Sequence, residues 1–381
     1  MSYKAILCML VLAGCHQQAP LIKRQVSSTL NLPAPELGEV WTATNDSQAE
    51  EILQKTINML AERAAKDTFT RRDAHPRAHG CVKAKMEVTP GLLAPELQVG
   101  IFAPTAPKSY DAWIRFSNGA PDGKTAHDLE KDVRGMAIKL MNVPGATSGS
   151  QDFVMITSEE FFSKDGADYL DLHEAIAGST AHLIWYGITH PRSASRIMGA
   201  RIQIGHPLFA NYFSSVPYKL GSRSMRFETK PCALENHKLP KRSGPKNFLQ
   251  LRLAETLDTK PGCFDFYVQP NMDPRHNIIE DPRLPWPVMR SPKIKVARIN
   301  IPAQKEFTST EQMNFCENLS MNPWHSHPDT RPLGQINRMR ALVYGEISKL
   351  RHQQNGTTEL EPVSHTPCEG ETAALCKKPL H

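Results

Sequence analysis

Short apolar segments separated by clusters of Gly, Pro, Asn and Asp fill the middle of this 381-residue chain, and they constrain its fold most. We predict strands at 81–88, 97–102, 113–117, 135–141, 153–156, 224–229, 264–269 and 294–301. Together these strands predict a closed or nearly closed antiparallel sheet with helices at its ends. The predicted fold class is therefore α+β, with an antiparallel β-barrel core and flanking helices.

Helical periodicity appears before, within and after the strand series. The first predicted helix, 48–66, has Ser47 as its candidate N-cap and a buried stripe formed by Ile52, Ile57, Leu60 and Ala64. Further helices are predicted at 167–206, interrupted at Pro191, and at 247–257, 308–320 and 334–352.

The composition is that of a globular protein, with 22% charged and 40% hydrophobic residues. The net charge is +6, but the longest basic runs are pairs such as Lys241-Arg242. Runs this short do not form a nucleic-acid groove, so we expect no nucleic-acid partner.

The N-terminus resembles a bacterial lipoprotein signal. Lys4 precedes an apolar run at 5–13, and Leu12-Ala13-Gly14-Cys15 matches the cleavage box in which the cysteine is lipidated. We predict a signal peptide at 1–14, a tether at 15–47, a globular domain at 48–352 and a polar tail at 353–381. The alternative is an uncleaved hydrophobic N-terminus. His16 is not the Asp that signals inner-membrane retention, so a periplasmic protein anchored to the outer membrane is favoured.

Export to the periplasm would place six cysteines of the globular part and tail in an oxidising compartment. Cys368 and Cys376 enclose a short loop and could bridge, but six cysteines allow fifteen connectivities and the sequence selects none of them.

The predicted helix at 334–352 carries Arg340, Tyr344 and Arg351 within about 40° of one another around its axis. Positive charge favours the phenolate form of a tyrosine, and a phenolate is an acceptable axial ligand for ferric haem. An arginine can pair with a haem propionate. The alternative is an amphipathic surface helix, since an apolar stripe lies beside this face: Ile336, Met339, Val343, Ile347 and Leu350.

Four more clusters contain chemically active side chains. They are Arg72-Asp-Ala-His75, Trp113-Ile-Arg115-Phe-Ser117, Asp132-Val-Arg134-Gly135-Met-Ala-Ile-Lys139 and Asp152-Phe-Val-Met-Ile156-Thr157 followed by Phe161-Phe162. A histidine before a strand can act as an acid–base group, because its usual pKa is near neutrality. Taken singly, each of these residues has a structural alternative. The His75/His79 and His325/His327 pairs also mimic metal ligands, but no cysteine or carboxylate accompanies them at a convincing spacing.

The five clusters together resemble the catalase superfamily, whose motifs they follow in order over residues 72–351. The segment Pro323-Trp324-His325, with Arg331-Pro-Leu-Gly334 after it, is similar to small catalase-related haem proteins of bacteria. This resemblance implies a barrel of the catalase type and haem b as the cofactor.

The resemblance also implies a role for each matching residue. Tyr344 would be the iron ligand, and Arg340 the cation that keeps it ionised. The propionates would be bound by Arg72, Arg115 and Arg351. His75 would be the distal acid–base group, oriented by Ser117, and Tyr169 would lie in the distal pocket.

One position departs from the family pattern. Ile156 takes the place of the distal Asn that helps to orient peroxide, and the adjacent Thr157 could replace it only in part. The implied function is a haem-dependent peroxidase or catalase-like oxidoreductase that uses hydrogen peroxide or organic hydroperoxides, with an unknown electron donor. The alternative is a non-enzymatic haem-binding lipoprotein, which the loss of the Asn favours.

Overall fold

A computed structural model describes residues 32–64, 69–119, 127–233, 235, 237–366 and 368. Its strands are β1 (Arg77–Val88), β2 (Ser109–Asn118), β3 (Arg134–Leu140), β4 (Gln151–Ile156), β5 (Tyr212–Phe213), β6 (Tyr218–Leu220), β7 (Arg223–Pro231), β8 (Gly262–Pro270) and β9 (Ile294–Ile301). Its helices are α1 (Ala43–Ala64), α2 (Gly166–Ala177), α3 (Thr180–Thr189), α4 (Pro191–Ala200), α5 (Phe248–Thr259), α6 (Thr310–Asn318) and α7 (Gln335–Asn355).

Eight strands form a closed antiparallel barrel. The order β5-β4-β3-β2-β1-β9-β8-β7 returns to its start, because β5 pairs with both β4 and β7. The short strand β6 extends β7 outside this ring. The predicted α+β class with an antiparallel barrel is confirmed.

Alternation along each strand separates the barrel interior from its outer face. On β3, Met136, Ile138 and Leu140 belong to the main apolar core. Gly135 and Lys139 alternate with them and face outward. The outer face of β2–β4 is therefore available to the loop before β1 and to the helices.

The helices α1, α2 and α7 pack together beside the barrel. Ile52 and Leu53 of α1 contact Met339 and Leu342 of α7 in a second apolar cluster, and Leu170 of α2 packs against it. This layer packs α7 against α1 and α2, which matters because α7 carries Tyr344.

Several predicted elements differ in the structure. Segment 97–102 is not a strand but lies in two short 3₁₀ turns, 95–97 and 100–102, because Gly100 adopts φ +56° and breaks the extended path. Helix α1 begins at Ala43, so Ser47 is not its N-cap; the Ser47 hydroxyl donates to the carbonyl of Ala43 within the helix. Stretch 167–206 contains three helices, and Pro191 begins the third. The short strands β5 and β6 were not predicted.

Both ends of the predicted domain continue into ordered structure. Before α1, the carboxylate of Glu39 accepts hydrogen bonds from Arg331 and Arg338. After α7, Leu360 is buried and Glu361 lies 2.8 Å from the ammonium of Lys139. Residues within the predicted tether and tail therefore pack against the barrel and α7.

Two disulfides are described, Cys81–Cys316 and Cys232–Cys263. The first joins β1 to α6. Cys15 and Cys376 lie outside the described residues, so the predicted lipidation site and the predicted Cys368–Cys376 bridge stay predictions.

Candidate active site

A row of three residues crosses the outer face of the barrel. Ser117 on β2 pairs with Gly135 on β3, which pairs with Ile156 on β4. The imidazole of His75 lies over this row, with its Nδ1 3.3 Å from the Ser117 hydroxyl. The structure thus brings together His75, Ser117 and Ile156.

Gly135 makes room for the His75 ring. A Cβ atom at Gly135 would lie 2.6 Å from His75 Nδ1 and 2.8 Å from the Ser117 hydroxyl oxygen. Because such contacts are closer than van der Waals packing allows, any side chain here would displace the imidazole. The glycine of the Arg134-Gly135 motif is therefore explained by the close approach of His75.

The backbone of His75 is held in an uncommon conformation. Its φ of +56° lies in the left-handed region, which costs a non-glycine residue roughly 1–3 kcal/mol. Arg115 Nη2 donates a 2.9 Å hydrogen bond to the His75 carbonyl. This bond helps to fix the loop that presents the imidazole.

The imidazole of His75 is neutral at physiological pH. Its burial lowers the pKa to about 4; the charge of Asp132 opposes the shift, whereas the guanidinium groups of Arg115, Arg340 and Arg134 add to it. A neutral imidazole has one ring nitrogen free to accept a proton. His75 is thus prepared to act as a base.

On α7, Arg340 and Tyr344 form a close pair. Arg340 Nη2 donates to the Tyr344 hydroxyl oxygen at 3.0 Å, and Nη1 donates to Asn337 at 3.1 Å. Burial lowers the pKa of Arg340, but negative charge on Tyr344 and Tyr218 outweighs it and raises the pKa above its usual value. Arg340 therefore stays cationic beside the Tyr344 phenol.

Three arginines, two of them buried and Arg72 partly buried, surround one carboxylate, and we call this group the arginine cluster: Arg72, Arg115 and Arg351 around Glu317. Arg351 Nη1 lies 3.2 Å from the Glu317 carboxylate, Arg72 Nε 3.7 Å and Arg115 Nη2 4.0 Å. The C-terminal end of α6 adds neutral acceptors, since Arg72 also donates to the carbonyl oxygens of Glu317 and Leu319.

The arginine cluster carries more positive than negative charge. Burial and the neighbouring guanidinium groups lower the pKa of Arg115 to about 9 and that of Arg351 to about 10, although Glu317 raises both. The buried Nε atoms of Arg72 and Arg115 have no hydrogen-bond partner within the described chain. Glu359 also raises the pKa of Arg351, and Glu359 and Asp73 line the adjacent pocket, so an anionic ligand would share these guanidinium groups with them.

A pocket of about 80 Å³ lies beside Tyr344 and two members of the arginine cluster, Arg72 and Arg351. Met321 and Ile347 supply apolar surface, and the carboxylates of Asp73 and Glu359 also line the pocket. A flat apolar ring with an electrophilic metal and two carboxylates, such as haem, fits this combination of a phenol, aliphatic side chains and arginines.

Two other predicted site residues, Tyr169 and Thr157, make their contacts away from the His75 ring. The Tyr169 ring packs 5.9 Å from Phe161, and burial raises the pKa of its phenol. The Thr157 hydroxyl accepts a hydrogen bond from the Arg134 amide at 3.1 Å, so it supports the strand rather than His75. Thr157 consequently does not supply the polar group that Ile156 lacks.

The sequence interpretation missed Glu317. This residue is distant in sequence from all three arginines, and the only local signal is its position beside Cys316. The sequence did contain Gly135, but its close contact with His75 becomes evident only when β3 and the loop before β1 are placed together.

Within the described residues, no group of three or more His, Cys, Asp or Glu is arranged to bind a metal ion. The His325 ring lies 2.9 Å from Glu361, and His79 lies 2.8 Å from Asn118. Both histidines thus have structural partners. In the part of the chain that the structure describes, no helix combines the length and apolarity needed to span a bilayer.

The fold resembles two solved catalases. A fungal catalase matches with a TM-score of 0.61 and 16% identity, over 80% of this chain and 65% of the catalase. Catalase A from Saccharomyces cerevisiae matches with a TM-score of 0.61 and 15% identity, over 87% of this chain and 72% of that protein. The chain thus spans about two thirds of the fungal catalase. No family model and no curated protein sequence matches. The class of fold is catalase-like.

Proposed function

We propose that this protein is a haem b-dependent peroxidase that reduces hydrogen peroxide or organic hydroperoxides. The observation that carries the proposal is the arrangement of a neutral His75 over Gly135, a Tyr344–Arg340 pair, and a pocket lined by Tyr344 and by Arg72 and Arg351 of the arginine cluster. A merely structural barrel requires none of these features. The catalase-like fold supports the same reading.

Each residue has a distinct task in this proposal. Tyr344 would hold the iron as a phenolate, and Arg340 would keep the phenolate charged. The arginine cluster would bind the two propionates. Bound haem would supply the redox-active iron at which the oxygen–oxygen bond of the peroxide is cleaved.

His75 would move the proton. If its Nδ1–H donates to the Ser117 oxygen, the other ring nitrogen, Nε2, is left to accept the proton of the hydroperoxide. The same nitrogen then delivers that proton to the departing oxygen. The product that leaves is water from hydrogen peroxide, or an alcohol from an organic hydroperoxide. An electron donor of unknown identity completes the reduction.

Ile156 shapes the choice of oxidant. Its aliphatic side chain stands in the row below His75 and offers no hydrogen bond to a second oxygen. We therefore expect disproportionation of hydrogen peroxide to be slow and organic hydroperoxides to be accepted. The same residue favours the second candidate, a non-enzymatic haem-binding protein that keeps the fold without rapid turnover.

We also propose a location in the bacterial periplasm, anchored through a lipid on Cys15, with the outer membrane favoured. The two described disulfides support an oxidising compartment. We keep the proposed tether at 15–47, domain at 48–352 and tail at 353–381. Some residues of the tether and the tail nevertheless pack against the domain.

The test is a titration of the apoprotein with haemin, followed by absorption spectra before and after addition of hydrogen peroxide or cumene hydroperoxide. The proposal expects stoichiometric binding, a high-spin tyrosinate-type spectrum, and a peroxide-dependent change. Bound haem that is inert to both peroxides would establish the second candidate instead. A protein that takes up no haem would contradict both.

A further inference from the structure

Helix α3 exposes most of its apolar side chains. We define the α3 patch as Leu183, Ile184, Trp185 and Ile188, which are 47–66% exposed, together with Met198 of α4, which is 76% exposed. Tyr186 is the buried residue of α3, and it anchors the helix by donating a 2.6 Å hydrogen bond to Asp168. The rest of α3 projects from the molecule.

An apolar surface of this kind needs an explanation. Burying a large aliphatic or aromatic side chain stabilises a protein by roughly 1.5–3 kcal/mol, so four such residues on one ten-residue helix leave considerable binding energy unused. Contiguous exposed apolar patches mark sites of interaction with another surface.

The charge around the patch restricts the partner. The chain contains no Asp or Glu from residue 175 to residue 227, whereas this stretch includes the exposed Arg192 and Arg201. Arg196 also lies in this stretch, but it is paired with Glu160 at 3.1 Å. Of the nearby acidic residues, Glu174 lies 3.2 Å from Lys55, and Asp171 lies 3.3 Å from the His190 ring. Arg192 and Arg201 therefore give the edge of the patch a basic character.

We propose that the α3 patch docks on an anionic lipid bilayer. A projecting helix with Trp and large aliphatic residues, next to arginines and free of carboxylates, has the composition of an interfacial membrane-binding helix. A second copy of the chain is a poorer partner, because docking patch against patch would bring two sets of arginines together. A phospholipid surface with net negative charge complements both the apolar centre and the basic edge.

Docking in this orientation would place the candidate active site near the membrane. Helix α2 carries Tyr169 at the site and the exposed Ile176 near α3, seven residues apart, so about 10 Å of helix separates them. If the proposed function is right, this position would give the site access to lipid hydroperoxides. That substrate class rests on the proposed function, whereas the docking itself does not.

The test uses the full chain with Cys15→Ser, which prevents lipidation, and compares two double variants. Trp185→Glu with Ile188→Glu changes the patch. Leu92→Glu with Met289→Glu is the matched control, because these side chains are 85% and 97% exposed outside the patch. Co-sedimentation is measured with vesicles of phosphatidylcholine, with and without phosphatidylglycerol, and thermal unfolding checks that each variant is folded.

We expect the parent and the control to bind phosphatidylglycerol-containing vesicles more strongly than phosphatidylcholine alone, and the patch variant to lose about 10-fold or more of this binding. Equal binding by both double variants would overturn the proposal, as would no binding by the parent. Self-association of the parent that only the patch variant loses, seen by sedimentation velocity, would show that a second copy covers the patch. Because no haem is needed, vesicle binding that persists without haem uptake would separate this inference from the proposed function.

Discussion

The candidate site has two sides that differ in charge. The helical side, formed by α6, α7 and Arg72, contains several charged side chains. The barrel side, formed by β2–β4 and the loop with His75, is defined by close packing around the imidazole. On the helical side, the arginine cluster and Arg340 place four guanidinium groups near Tyr344 and Glu317. On the barrel side, the row Ser117, Gly135 and Ile156 is uncharged, and His75, which lies over it, is neutral through burial. On the function proposed above, the helices bind the anionic propionates and the strands orient the imidazole that carries the proton.

The largest expected effect is on the helical side. Tyr344→Phe removes the phenol oxygen that would hold the iron, so we expect haem affinity to fall by more than about 100-fold, since even residues that only orient a metal ligand contribute about 10- to 100-fold. The measurement is a haemin titration followed by absorption. Tyr267→Phe, on β8, is a matched control that should bind haem normally. An unchanged spectrum for Tyr344→Phe would remove Tyr344 from the iron.

His75→Gln should affect the reaction with peroxide rather than haem binding, because it alters the barrel side alone. We expect haem binding to persist while the rate constant with peroxide falls roughly 100- to 10,000-fold, the range for loss of a general acid–base group. His79→Gln is the control, since a glutamine amide can still reach Asn118. Stopped-flow absorption with a hydroperoxide gives both rates. Equal rates for parent and His75→Gln would assign proton transfer to another group.

Glu317→Gln tests how the charge on the helical side is balanced. Removing the carboxylate leaves two buried guanidinium groups and the partly buried Arg72 without their shared anion, so we expect the apoprotein to lose about 3 kcal/mol of unfolding free energy. Asp111→Asn, which breaks an exposed pair with Lys85, should cost less than about 1 kcal/mol. Urea unfolding measures both.

Haem should restore part of the stability lost in Glu317→Gln, because its propionates would replace the missing anion. If haem stabilises the parent and Glu317→Gln equally, the arginine cluster does not bind the propionates. If Glu317→Gln is as stable as the parent, the cluster is hydrated and its excess charge has been overestimated.

Many of the strands and most residues of the candidate site could be predicted from the sequence. The other features depend on tertiary contacts. The central strands were predictable because apolar residues alternate along them, as in Met136, Ile138 and Leu140. Strands β5 and β6 have only two and three residues, too few to show a period. The five motifs located both sides of the site. Glu317 was not predictable, because its role depends on the contacts of α6 with residues far away in sequence.

Gly135→Ala tests the close approach of the His75 ring to β3 without changing any charge. The added Cβ would collide with the His75 ring, so we expect the peroxide rate constant to fall about 10- to 100-fold while haem affinity changes little. Gly91→Ala is the control, because a Cβ there meets no atom within 4 Å. Equal rates for the two variants would show that the imidazole is not confined by β3.

The smallest expected effect is the pH dependence of the barrel side. Since the pKa of folded His75 is lowered to about 4 from 6.5, the peroxide rate constant should stay level as the pH falls through 6.5 and decline only near pH 4, where the imidazole gains a proton. The unfolded chain binds that proton at higher pH, so His75 should reduce the stability of the native protein as the pH falls from 6.5 to 4. The difference in unfolding free energy between parent and His75→Gln, followed over this interval, isolates His75 from the other histidines. A rate that halves near pH 6.5 would mean that His75 is hydrated and that Arg115, Arg340 and Arg134 do not act on it.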